Sequence, residues 1–252
     1  MKNYIETKDS EKDYRELARL GSKLGVPIPE CFLDIEVKMP NGEVVHQHSQ
    51  RSHSWNRNFY NMLFCNMVCK NPSDATFGAG LLSFMRPSGA PRSYASLFCL
   101  FGYPNGGQLS MVDADATGGA GIGLRAGNGV DSFGILVGTD DTAEDFESGT
   151  LIAKVAQGNS AGQLAYQASE LHAITYTSGT KTLSDVLSRY ANNNSGGIIT
   201  MKESAIYIAM GLYAGYTPEY IMTARDVLGA PVAIPDTGQL KVTYTINLVY
   251  PH

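Results

Sequence analysis

Leu240-Lys241-Val242-Thr243-Tyr244-Thr245-Ile246-Asn247-Leu248-Val249 alternates apolar and polar residues along nearly its whole length. Side chains on a strand point to opposite faces in turn. Leu240, Val242, Tyr244, Ile246 and Leu248 therefore share one face, and Lys241, Thr243, Thr245 and Asn247 share the other. Such a stretch is a long strand with one face in a core and one in solvent or against a partner. Working back from it, strands are expected at residues 133–137, 151–155, 163–167, 173–177, 182–190, 198–202, 206–210, 221–225 and 231–234. Turn residues separate most of them at hairpin-like intervals, which fits an antiparallel sandwich, jelly-roll or Ig-like, better than βαβ units.

The first seventy residues carry a different period. Tyr14, Leu17, Leu20 and Leu24 form one helical stripe over residues 10–25. Ser10 is placed to cap this arm, Gly25 to end it and Pro27 to prevent continuation. Leu33, Ile35, Val37 and Met39 then alternate with polar residues, and residues 44–48 return after Asn41-Gly42. A two-residue turn with positive φ at both positions is expected there. Trp55, Phe59, Met62, Leu63 and Met67 mark a second helix over residues 54–70, stopped by Asn71-Pro72. Residues 72–132 are rich in Gly, Ser, Ala and Asn and read as short strands between loops. The expected organisation is an arm, hairpin and helix at 1–71, Gly-rich loops and short strands at 72–132, and a β-sandwich at 133–252.

Composition narrows the function. Of 252 residues, 17% are charged and 27 are Gly, and the net charge is −5. This balance favours turn-rich β-structure and gives no basic footprint for nucleic acid. No apolar run reaches the roughly 18 residues of a membrane helix. The opening MKNYIETKDSEKD is too polar for a signal peptide, so synthesis in the cytoplasm is expected. Four cysteines (Cys31, Cys65, Cys69, Cys99) do not make a disulfide scaffold and are expected as buried thiols.

Several motifs touch on chemistry without completing it. Gly158-Asn159-Ser160-Ala161-Gly162 matches a nucleophile elbow, yet its surroundings are hairpins and only His172 and His252 follow. Asp113-Ala114-Asp115-Ala116-Thr117 resembles the start of haloacid-dehalogenase-like phosphatases, but a Gly-rich loop follows in place of alternating helices and strands. Read as a calcium loop, it has Leu124 where a bidentate Glu belongs. Residues 140–147 are expected to be a solvated acidic loop. The Gly spacing at 118–127 lacks a strand–turn–helix frame. His46, His48 and His53 are expected at an exposed strand end. No catalytic, cofactor-binding or metal-binding residues are assigned, and no cofactor is expected.

One resemblance remains. Gly134-Ile135-Leu136-Val137-Gly138-Thr139, the run from Asn193 to Glu203, and the run from Ala224 through Pro231-Val232-Ala233-Ile234-Pro235 to Ile246 are similar to segments of virion proteins of tailed bacteriophages. The N-terminal hairpin, with Ser54 and Phe59 opening the following helix, resembles the front of such proteins. The resemblance implies a non-enzymatic structural protein in the head, neck, tail or fibre, located in the virion. Expected partners are copies of itself and other virion proteins, with no direct nucleic acid and no membrane. Tyr14, Leu17, Leu20 and Leu24 on the arm, with Tyr213 and Tyr216 near Gly215, are the candidate interface residues. The alternative is a receptor- or carbohydrate-binding β-sandwich of a fibre or adhesin, with clustered tyrosines as its marker and a glycan as its partner.

Overall fold

A computed structural model of the chain describes residues 8–52, 54–68, 84–89, 91–92, 109–110, 123–212 and 219–250. It is mainly β, with antiparallel sheets and two helices. Helix α1 spans Lys8–Leu24, and strands β1 (Ile28–Lys38) and β2 (Val44–Ser52) form the hairpin. Helix α2 spans Arg57–Val68. Three two-residue strands follow: β3 (Phe84–Met85), β4 (Pro91–Arg92) and β5 (Leu109–Ser110). The remaining strands are β6 (Gly134–Gly138), β7 (Ala165–Ser169), β8 (Thr175–Thr177), β9 (Thr182–Asn192), β10 (Ile199–Leu212), β11 (Glu219–Ile234) and β12 (Gln239–Val249).

The first sheet has the order β2-β1-β12-β9-β7, with β8 also on β9. The last strand therefore lies at its centre. Leu240, Val242 and Tyr244 pair with Val37, Ile35 and Leu33 on one side and with Ala191, Arg189 and Leu187 on the other. The first three are buried as the alternation requires, but Ile246 and Leu248 are only half-buried, so the core ends before the strand does. The second sheet has the order β11-β10-β5, with β6 also on β10. One continuous core draws Leu33, Val37 and Tyr244 from the first sheet and Met201, Ala205, Met222 and Val232 from the second.

Two expected breaks do not occur. The pairs of short strands at 198–202 and 206–210, and at 221–225 and 231–234, are single strands β10 and β11. The charged residues Glu203, Arg225 and Asp226 within these strands are buried, and the β10–β11 ladder shifts register near Met201 and Ile206. Residues 151–155 form no strand of their own. They lie along β6 through Thr139 N–H to Ala153 O (2.9 Å) and Val155 N–H to Val137 O (2.9 Å).

The hairpin turn also differs from expectation. Only Gly42 has positive φ, at +85°, and its N–H donates to Met39 O at 2.8 Å while Met39 N–H donates to Glu43 O. This is a four-residue turn with a glycine bulge, and Asn41 serves by accepting from Glu43 N–H at 2.9 Å. After β2 the chain crosses to the other sheet. Trp55 bridges Ala224, and Arg225 N–H donates to Ser54 O at 3.2 Å. Helix α2 starts there because Asn56 Oδ1 accepts from Phe59 N–H at 3.3 Å. Its amide also donates to Ser148 O and Met222 O, locking the helix start to β11.

Helix α1 ends as its sequence requires. Val26 N–H donates to Gly21 O (2.9 Å) and Gly25 N–H to Ser22 O (3.3 Å), with Gly25 at φ +68°. That pair of bonds is a Schellman cap. Its start differs: the helix already includes Lys8, so Ser10 stands within it and not at the position before its first turn.

Candidate functional site

The stripe on α1 divides into two. Gly21 is buried, and a Cβ there would lie 2.6 Å from Ile28 Cγ1, so only glycine allows the helix this close. Tyr14 is half-buried, with the Arg51 guanidinium 4.3 Å from its ring centroid and 4.8 Å from that of Phe32. Arg51 also pairs with Glu30 at 3.0 Å. The three leucines turn away from the sheet and stay open: Leu17 is 45% exposed, Leu20 38% and Leu24 71%. Val26, also exposed, lies instead on the side of Ala18, Ser22 and Ile28. Tyr213 and Tyr216, the other two candidates, lie outside the described residues.

A second apolar face lies on α2. Met62 is buried, whereas Tyr60, Leu63, Phe64 and Met67 are exposed, as is Phe146. The residues whose spacing marked the helix thus serve two faces. Rings connect the core to this surface: Trp55 to Phe59 at 4.2 Å, Phe59 to Tyr60 at 5.4 Å, and Tyr60 to Phe146 at 5.9 Å. Neither Tyr60, Phe64 nor Phe146 was singled out by sequence periodicity. The signal present was the dense aromatic content of residues 55–64.

The ionisable groups with the most altered environment lie in the interior. Asp226 is fully buried and accepts hydrogen bonds from Ser52 Oγ (2.9 Å), Ser54 Oγ (3.1 Å) and Tyr244 Oη (2.9 Å). Burial pushes its carboxyl up to about 6, against the Ser52 hydroxyl and with help from the Glu144 charge. Beside it Arg225 Nε donates to Glu203 Oε2 at 2.7 Å, and its other nitrogens donate to Thr142 O and Ala143 O. The acidic loop expected to be merely solvated is therefore held down on Arg225. Glu144 also accepts from Val227 N–H, and Asp141 pairs with Lys202 at 2.9 Å. Arg189 plays a similar part elsewhere. It donates to the carbonyls of Gln167, Phe133, Ile135 and Val130 and stands over the Tyr166 ring at 4.7 Å. Burial pulls its guanidinium down to about 10, which leaves it charged at neutral pH.

The motif residues fall apart in space or into structural roles. Ser160 lies in a loop, with its N–H on Gln163 Oε1 at 3.1 Å and its carbonyl accepting from Gln163 N–H. His172 Nδ1 is 2.6 Å from Asp185 Oδ2. Asp113, Asp115, His53 and His252 lie outside the described residues. His48 is not at an exposed strand end; it is buried, with Nε2 2.8 Å from Gln50 Oε1. Cys31 is a buried thiol, pushed up to about 12 by desolvation. Among the described residues no three His, Cys, Asp or Glu side chains gather as a metal site.

A shallow groove on the outer face of the first sheet is lined by Asp34, Glu36, Gln47, Ser49, Lys241 and Thr243. Cross-strand bonds hold its walls: Ser49 Oγ to Asp34 at 2.5 Å and Gln47 Nε2 to Glu36 at 3.1 Å. Lys241 Nζ stands 5.0 Å from the Tyr190 ring centroid. No protein-family model, no curated protein and no solved structure matches the chain.

Proposed function

We propose that this chain is a non-enzymatic structural subunit of a virus particle, of the kind found in tailed bacteriophages, that works by contacts with copies of itself and with other virion proteins. The observation that carries this reading is the apolar ridge Leu17-Leu20-Leu24 held open on α1. A fully buried leucine is worth about 1.5–3 kcal/mol over an exposed one, so three on one helix face are a strong reason for a partner. The exposed face of α2 with Phe146 adds a second such surface. The proposed architecture behind both is an antiparallel β-sandwich of jelly-roll or Ig-like type, with the helices on its outside. The buried charges support a structural role, because Asp226, Glu203, Arg225 and Arg189 are all bonded to backbone or neighbouring side chains of the fold. Sedimentation and negative-stain imaging of the purified chain test the proposal. Rings, tubes, shells or discrete oligomers support it, and a monomer at every concentration overturns it.

The groove of Asp34, Glu36, Gln47, Ser49, Lys241 and Thr243 favours one second reading, a receptor- or carbohydrate-binding module. Carboxylates, an amide, hydroxyls and a nearby tyrosine are the groups that bind sugar hydroxyls. Saturable binding to a glycan array, lost in Asp34→Ala with Glu36→Ala, would support that reading over the first.

A further inference from the structure

Resting on the assembly reading above, we infer that α1 docks antiparallel on α1 of a second copy of this chain, with Leu17, Leu20 and Leu24 as the seam and Asp13, Glu16 and Lys23 setting the direction. The leucines lie within 60° of one another around the helix axis at about 100° per residue, and Asp13 falls among them. Glu16 and Lys23 lie together along one flank of that seam. The ridge and this flank thus carry Asp13, Glu16 and Lys12 toward the start, one negative charge net, and Lys23 in the last turn.

This distribution is self-complementary in one orientation. A twofold axis midway between Leu17 and Leu20 places each Leu17 against the partner's Leu20 and each Leu24 at the level of the partner's Asp13. The same axis brings Lys23 of each copy to the level of the partner's Asp13 and Glu16, giving two equivalent sets of opposite charges. A parallel pair would instead place Asp13 beside Asp13 within the seam and leave the Glu16–Lys23 flanks of the two copies on opposite sides of it. Charges flanking an apolar seam select orientation and partner in this way. The cap at Gly25 and the close approach of Gly21 to Ile28 hold the helix on its own subunit with the ridge outward. Glu16 already pairs with Arg19 of its own helix at 2.6 Å, and both side chains are exposed, so an exchange to the partner's Lys23 costs little.

Charge reversal and its repair test the inference on the full chain. Lys23→Glu surrounds each acidic end with a third carboxylate, and Asp13→Lys with Glu16→Lys surrounds each basic end with two more cations. Each variant should weaken self-association roughly tenfold or more, by analogy with like-charge pairs on helices. The triple variant Asp13→Lys/Glu16→Lys/Lys23→Glu should restore it, and a mixture of the two weakened variants should form a mixed dimer. Circular dichroism checks that every variant keeps its helix and sheet. If wild type is oligomeric and all variants associate as wild type does, the α1 pairing is wrong while assembly through another face stands. If wild type is a monomer at every concentration, the assembly reading falls with it.

Discussion

Asp226 is the residue on which the interior depends most visibly. It is fully buried, bonded by three hydroxyls, and shifted up to about 6. A carboxyl whose folded pKa exceeds its unfolded value binds more protons in the native state between those two values. Its contribution to stability is then complete below the unfolded value near 3.8 and is lost as pH rises through about 6. The size is about 2–3 kcal/mol, at 1.36 kcal/mol per unit. Asp226→Asn keeps the shape and cannot ionise. The difference in urea stability between Asp226→Asn and wild type should therefore grow, in favour of the variant, as pH rises from 5 to 7. Parallel pH profiles would contradict this. Glu16, Glu36, Asp140 and Asp141 shift downward, but they are exposed or nearly so, and they are common to both proteins.

Little of this interior was legible in the sequence. Asp226 meets Ser52 and Ser54 across more than 170 positions, and Glu203 meets Arg225 across 22. Local pattern sees a charge within an apolar run and infers a turn. It has no access to the distant hydroxyl or guanidinium that makes burial tolerable. For the same reason nothing near Arg189 in sequence announces that it points into the core and binds carbonyls of residues 130–135.

At the scale of elements, local chemistry was a better guide. The cap of α1 at Gly25, the hairpin β1–β2 and the buried row of β12 all follow from signals within a few residues. Gly21 was missed, because the reason for it is Ile28 on another element. Gly21→Val should push α1 off the sheet edge and weaken the Tyr14–Arg51 contact. Faster protease cleavage within residues 8–27, with the urea midpoint of the β-core changed little, is the expected result. A cleavage rate like that of wild type would contradict it.

The row on β12 makes a contrasting prediction. Leu240, Val242 and Tyr244 together bury apolar surface worth about 5–9 kcal/mol, comparable with the whole net stability of a domain. Leu240→Asp places a charge between Val37 and Ala191, where no cation faces it, and should abolish folding by circular dichroism. Ile246→Asp, at the half-buried end of the strand, should cost clearly less. Leu17→Asp with Leu20→Asp should leave folding intact and reduce assembly. Equal loss of fold in Leu240→Asp and in Leu17→Asp/Leu20→Asp would remove the distinction between core and interface.

The molecule as a whole is a β-rich body with two helical faces that leave apolar side chains exposed. In the second sheet, residues 54–56 lie on β11 and residues 151–155 run along β6. Covered edges limit uncontrolled strand addition. Association would then run through α1 and α2, where apolar side chains remain exposed. The overall β class was readable from composition and period, because low charge, frequent Gly and alternation all favour it. The sheet order was not, since the central position of the last strand depends on pairing with the first hairpin across most of the chain.

Sedimentation velocity of the purified chain over a hundredfold range of concentration tests the central claim most directly. The account predicts species at multiples of 27.1 kDa that grow with concentration and that shrink to the single subunit in Leu17→Asp/Leu20→Asp, with the fold retained. A wild-type protein that sediments as a 27.1 kDa monomer throughout the range would contradict it.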